Sequence, residues 1–208
     1  MLFRSWTLPT NCGEGLVLLA AILLGVALPI LPVQLLWINM STALLLGLML
    51  VFEPKERDLM LRPPRDPEVN ILTPTLMIRL CLVAAVMLVG AFGLFLWEQS
   101  RGASLEEART VAVNVFVMVE LVYLFNCRSL TRSVFQIGWL TNRWALGGAA
   151  VMIFAQVGFT YAPWCNRLFH TAPLSLEAWG RIAAVALLGG FVVGFEKWAR
   201  ARRARLGG

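Results

Sequence analysis

Glu14 and Glu120 are carboxylates set in long apolar stretches, and no Lys or Arg lies at comparable depth to pair with either. A second set of polar groups interrupts the stretch from Leu31 to Pro54. That stretch is apolar enough to cross a membrane, yet it holds Gln34, Asn39, Ser41 and Thr42. Lipid offers such groups no hydrogen bonds, so they must face other helices or a bound solute. Asn39 and Thr42 are three residues apart and share one helical face. Asn11 and Glu14 repeat that spacing one apolar segment earlier, so the two pairs read as halves of one intramembrane polar site. A carboxylate inside hydrocarbon is costly unless it is paired, protonated or bound to a cation. Without a basic partner, a cation or a proton is the natural counter-charge. Amide and hydroxyl oxygens from Asn11, Asn39 and Thr42 would complete an oxygen-rich shell for a hard cation. Taken singly, Asn11, Ser41, Thr42 or Asn114 reads equally well as a hydrogen bond that holds helices together. The two unpaired acids turn the set toward function.

The elements that must position these groups are membrane helices. The chain has 208 residues, of which 59% are hydrophobic and 14% charged, with a mean hydropathy of +0.73. Soluble domains average roughly 45–50% apolar and about 25% charged residues. The expected class is therefore all-α: a polytopic bundle of six transmembrane helices in a single membrane domain covering residues 1–208. The apolar spans run over about 10–30, 33–52, 74–97, 110–126, 143–162 and 179–197, each near the ~20 residues that cross a ~30 Å hydrocarbon layer. On these bounds Glu14 lies roughly 22 Å, Glu120 roughly 15 Å and Asn39 roughly 10 Å from the outer ends of their spans, at ~1.5 Å per residue. Pro29 to Pro32 makes a tight hairpin of the first two spans, and residues 53–73 form a charged, proline-rich cytoplasmic loop. Of the 18 Lys and Arg residues, 14 fall on the side of both termini and 4 on the other. This asymmetry puts both termini in the cytoplasm and makes a bacterial-type plasma (inner) membrane the expected location. The formal charge of +6 belongs to span flanks, so nucleic acid is not an expected partner, whereas the lipid bilayer is.

Other features read as structural. Ser104 followed by Glu107 is a capping-box signal for the fourth span. Trp97, Trp139, Trp144, Trp164, Trp179 and Trp198 lie near span ends, as an interfacial aromatic belt requires. The four cysteines are scattered, and neither a disulfide framework nor a zinc site is indicated. No secretory signal peptide is read at Met1. His170 reads as a surface residue of an outer loop. Glu196 reads as solvated beside Lys197 at a span end. Gly190 and Gly194 form a GxxxG expected to pack within the chain. The run Arg200 to Arg205 is a topology anchor that could also meet acidic headgroups. The eight methionines are dispersed and indicate no soft-metal site.

Three segments carry a resemblance to a known family. Pro32-Val-Gln-Leu-Leu-Trp-Ile-Asn-Met-Ser-Thr42, with Phe52-Glu-Pro54 after it, resembles the sixth membrane helix of P-type cation-transporting ATPases of the calcium-pump and sodium-pump kind. Leu8-Pro-Thr-Asn-Cys-Gly-Glu14 resembles the fifth helix of that family. Val119-Glu-Leu-Val-Tyr-Leu-Phe-Asn-Cys-Arg-Ser129 resembles its eighth helix and the turn that follows. The resemblance covers essentially the whole chain and makes its six spans the last six of ten. It implies that Asn11 and Glu14 are the cation-binding amide and carboxylate of the fifth helix. It further implies that Asn39 and Thr42 are ligands from the sixth helix and that Glu120 is the carboxylate from the eighth. Calcium pumps carry an aspartate directly after the threonine, and this chain has Ala43. With two acids left, a site for two calcium ions would be poorly neutralised. One divalent ion, monovalent ions or protons fit better, so the transported cation stays open among calcium, sodium, potassium and proton.

The resemblance also implies partners outside this chain: the first four membrane helices and the cytoplasmic ATPase domains, which supply ATP and Mg chemistry. No Asp-Lys-Thr-Gly and no Gly-rich phosphate loop occurs here, so this chain is expected to have no ATPase activity by itself and no catalytic residue. The leading expectation is the C-terminal, cation-binding membrane part of such a pump, with the chain a fragment. The alternative is a free-standing, non-catalytic six-helix protein, either a regulator or an inert remnant of a pump gene. An independent secondary transporter is disfavoured because no repeat pairs the two halves.

Overall fold

The computed structural model describes residues 2–54, 72–128 and 141–206. Among these, every regular element is a helix. Six helical spans, Leu2–Leu23, Pro32–Phe52, Pro74–Ser100, Leu105–Cys127, Arg143–Tyr161 and Leu176–Arg203, are long and apolar enough to cross a membrane. The protein is a multi-pass membrane protein. The basic residues Lys55, Arg57, Arg62, Arg65 and Arg132, and Trp139, lie outside the described residues.

The first helix, α1 (Leu2–Leu23), starts and ends about eight residues before the expected span of 10–30. Residues 24–31 then lead to α2 as a non-helical link, not as a four-residue hairpin, and the Arg109 Nε–H holds this link by donating to the Leu28 carbonyl at 3.0 Å. Glu14 is consequently nine residues from the end of its helix, roughly 14 Å and not 22. Pro9 sits inside α1. Proline has no N–H, so the Ser5 carbonyl one turn earlier loses its helical partner. The Tyr123 hydroxyl of the fourth span donates to that carbonyl at 2.8 Å, and the Cys127 thiol approaches it at 3.7 Å. A local defect in one helix thereby becomes a tether to another.

The second span changes helix type as it goes. α2 (Pro32–Thr42) opens with proline at its first position, where the missing N–H costs nothing. It continues as a π-helical segment, Ala43–Gly47, and a 3-10 segment, Leu48–Phe52. The looser turn begins directly after Thr42. Gly148 of a later helix packs on it so closely that a Cβ there would collide with the Leu45 carbonyl. The third span comprises α3 (Pro74–Met87), capped by the Thr73 hydroxyl, a π-helical segment Leu88–Phe92, and α4 (Gly93–Ser100).

α5 (Leu105–Cys127) is the hub. Val111, Ala112, Val113, Val115 and Phe116 are fully buried on consecutive turns, as expected of a helix apolar all round and enclosed by neighbours. The Ser104 hydroxyl accepts the Glu107 N–H at 3.1 Å, as the capping signal predicts. Around α5 stand α1, α2, α4, α6 (Arg143–Tyr161) and the long α8 (Leu176–Leu206), and α3 lies between α1 and α8. The short α7 (Pro163–Phe169) ends at His170, exposed and in the left-handed region at φ 53°. Gly190 packs on Val122 of α5, whereas Gly194 faces open space, so one glycine of the GxxxG serves packing within the chain. All four cysteines are free.

Two ionic clusters mark one end of the bundle. Glu196 is not solvated. Its side chain is 12% exposed and pairs with Arg79, itself 2% exposed, at 3.2 Å, and with Arg200 at 3.2 Å. Its sequence neighbour Lys197 turns away to donate to the Asn126 carbonyl. Nearby, Arg128 grips the Glu53 carboxylate with Nε and Nη2 at 3.0 Å, and Asn142 Nδ2 donates to the same group at 2.7 Å.

Candidate functional site

Four of the five expected site residues converge between α1, α2 and α5. Glu14 is 3% exposed, Glu120 1% and Thr42 2%, and Asn39 is partly buried. The Asn39 amide Nδ2 donates to Glu14 Oε2 at 2.9 Å and to the Leu35 carbonyl at 3.1 Å. The Glu14 and Glu120 carboxyl groups lie close enough to interact with each other. The Thr42 hydroxyl lies beside Glu120 and donates to the Ile38 carbonyl at 2.9 Å.

Asn11 does not join them. It is exposed on α1, although Glu14 lies three residues along the same helix. The i, i+3 spacing puts both on a broad common face, but the bundle covers only the Glu14 side. Gln34 and Ser41 also lie apart from the acids. Gln34 Oε1 accepts the Leu31 N–H at 3.0 Å, and its Nε2 donates to the Phe169 carbonyl at 2.8 Å, so this residue joins the start of α2 to the end of α7. Ser41 donates to the Trp37 carbonyl within its own helix at 2.6 Å. Asn114 donates to the Thr160 hydroxyl at 3.2 Å, a contact between α5 and α6 on another face of the hub.

Two neighbours were missed in the sequence. The Thr10 hydroxyl, 1% exposed, lies near the Glu120 carboxyl and bonds within its own helix, to the Thr7 carbonyl at 3.1 Å or the Trp6 carbonyl at 3.3 Å. Its position one turn before Glu14 was the available signal. Trp6 Nε1 donates to the Glu120 backbone carbonyl at 3.0 Å and so locks α1 to α5 beside the acids. No spacing rule foretells a bond between residues 114 positions apart.

Chemically, the cluster is a buried set of oxygens around two acids. Glu14 Oε1 and Glu120 Oε2 have no hydrogen-bond partner among the described residues, and no Lys or Arg pairs with either acid there. Two carboxylates in contact in a low-dielectric interior repel strongly unless a proton or a cation stands between them. A π-helical segment starts at Ala43, directly after Thr42, and such turns often occur at functional positions.

A family model described as "Cation transporting ATPase, C-terminus" matches residues 27–199. The chain is 56% identical to the "Probable cation-transporting ATPase F" of Mycobacterium tuberculosis over 184 residues, which is 88% of this chain and 20% of that protein. It is 34% identical over 84% of its length to the "Cation-transporting ATPase pma1" of Synechocystis, again 20% of that protein. Against the "Calcium-transporting ATPase" of Bacillus subtilis identity is 29%, over 92% of this chain and 22% of the relative. The chain thus spans about a fifth of the length of the curated relatives it matches.

Proposed function

The chain belongs to the family of cation-transporting ATPase C-terminal domains, and from that premise we propose that it forms the cation-binding membrane part of an ATP-driven P-type pump. The observation that carries this reading is the buried pair Glu14 and Glu120, with orphaned carboxylate oxygens and no basic partner among the described residues. In this reading a cation sits between the two acids, Asn39 orients Glu14, and the Thr42 hydroxyl contributes its oxygen. Asn11 waits at the open side for groups supplied by the rest of the pump. That remaining part, four-fifths of the relatives' length, would hold the ATP-hydrolysing machinery and the other membrane helices. Phosphorylation there would move α1 and α2 against α5, change the distance between the acids and release the ion, with protons taking its place. A shift between two helical arrangements is enough if the ion binds one of them more tightly.

Two acids favour one divalent ion, monovalent ions or protons over a pair of calcium ions. Both termini would face the cytoplasm of a cell whose plasma membrane holds the pump, as the basic flanks support.

The test is ion-stimulated ATP hydrolysis by the pump that carries this chain, measured across calcium, sodium, potassium and pH. In Glu14→Gln and Glu120→Gln the half-maximal ion concentration should rise at least about tenfold, the loss of one charge-assisted contact. Unchanged ion dependence in both variants would rule the site out.

A further inference from the structure

An apolar groove and a polar cup meet at Arg181, at the end of the bundle opposite the Glu53–Arg128 contact. The groove, about 580 Å³, runs between the third span and α8 and is lined by Leu82, Val89, Gly93, Val185 and Leu188 up to Trp97. The cup, about 290 Å³, is lined by Arg101, Arg181, Glu98, Glu107 and Glu177. Both volumes suit a small-molecule site or part of one. Leu82 to Trp97 spans roughly 22 Å of helix, long enough for an acyl chain to lie along it. Its apolar lining suits a hydrocarbon chain.

The cup says what the chain is attached to. The Arg181 guanidinium is engaged by Glu98 at 2.6 Å, though its Nε has no partner among the described residues. Arg181 and Arg101 both stack on the Trp97 ring, at 4.4 and 4.8 Å from its centre. Arg101 is exposed and forms no ion pair among the described residues, and Glu177, 81% exposed, touches Arg181 only at 3.8 Å. The cup therefore offers a spare cation and spare carboxylates side by side. That is complementary to a headgroup carrying a phosphate and an ammonium donor, and a purely anionic headgroup would meet three glutamates.

We propose that the chain binds one phosphatidylethanolamine, with an acyl chain in the groove between the third span and α8 and the headgroup bridging Arg101 and Glu177. The phosphate lies at the exposed Arg101, and the ammonium lies at Glu177 and Glu107. Trp97 forms the boundary between chain and headgroup.

Native mass spectrometry of the protein released from bilayers of equal phosphatidylethanolamine, phosphatidylglycerol and phosphatidylcholine, with matched acyl chains, tests this. One phosphatidylethanolamine should be retained about tenfold over either competitor, as one charge-assisted hydrogen bond supplies. Gly93→Phe fills the groove without a clash, because a Cβ at Gly93 meets nothing within 4 Å, and should abolish retention. Glu177→Gln, at an exposed position, should bring phosphatidylethanolamine and phosphatidylcholine to parity while a lipid is still held. Preference for phosphatidylglycerol, parity of the zwitterionic lipids in the unaltered protein, or a retained protein subunit in place of lipid would overturn the proposal.

Discussion

Glu14 is held by Asn39 through a single amide hydrogen bond of 2.9 Å, and this bond decides where one of its two oxygens points. Asn39→Ala should therefore weaken ion activation about tenfold, the worth of one hydrogen bond to a charged group, while leaving maximal turnover within reach at high ion concentration. A rise in half-maximal concentration with unchanged maximal rate is the signature; a fall in rate alone would mean that Asn39 acts on a later step. That Glu14 and Glu120 lie together with Asn39 and Thr42 was legible in the sequence, because acids without basic partners in apolar spans have few explanations. Asn11 was read with them from its spacing and from the family resemblance, and neither says which side of a helix this bundle covers. Glu196 was misread for a related reason. Beside Lys197 at a span end it read as solvated, but it is paired with Arg79, 117 residues away.

The helices carry devices that act between elements. Pro9 frees the Ser5 carbonyl, and Tyr123 caps it. Tyr123→Phe should cost about 1 kcal/mol, the usual net worth of such a bond, measured by thermal unfolding in detergent. In a Pro9→Ala background the same change should cost much less, because an alanine at that position returns a helical N–H to the Ser5 carbonyl. Equal costs in both backgrounds would break the link between the proline and the tyrosine. The grip of Arg128 and Asn142 on Glu53 joins the ends of the second, fourth and fifth spans. Arg128→Met leaves a buried carboxylate unpaired and should destabilise the protein by about 3–5 kcal/mol. Adding Glu53→Gln should return a large part of that. These devices were not legible beforehand, since each joins groups far apart in the chain, 118 residues for Tyr123 and Ser5 and 75 for Arg128 and Glu53. The first helix was misplaced by about eight residues for a different reason. Its early turns hold Arg4, Ser5, Thr7, Thr10, Asn11 and Glu14, and such polarity hides a span from a hydropathy reading.

Across the whole molecule, basic residues gather at the end that holds Glu53, Arg79, Arg128, Arg200 and the C-terminal arginines, and the cup and His170 occupy the other. With the native cysteines replaced, Ser104→Cys and Ser175→Cys should react with an impermeant maleimide applied to intact cells, and Arg203→Cys should react only after lysis. The reverse pattern would invert the topology and move the open side of the site with it. The six-span architecture was readable because helix length and apolarity follow from bilayer thickness alone. The order in which helices surround α5 was not, because every span is apolar and lipid tails do not distinguish one apolar face from another.

The central claim is that Glu14 and Glu120 hold a cation between them. Equilibrium binding of radioactive calcium, sodium or rubidium (in place of potassium) to the purified pump that carries this chain, titrated against pH, tests it most directly. The account predicts saturable binding of one of these ions, lost in both Glu14→Gln and Glu120→Gln and kept in Glu106→Gln, where the acid is exposed outside the cluster. Binding of equal strength and stoichiometry in all three variants would contradict it.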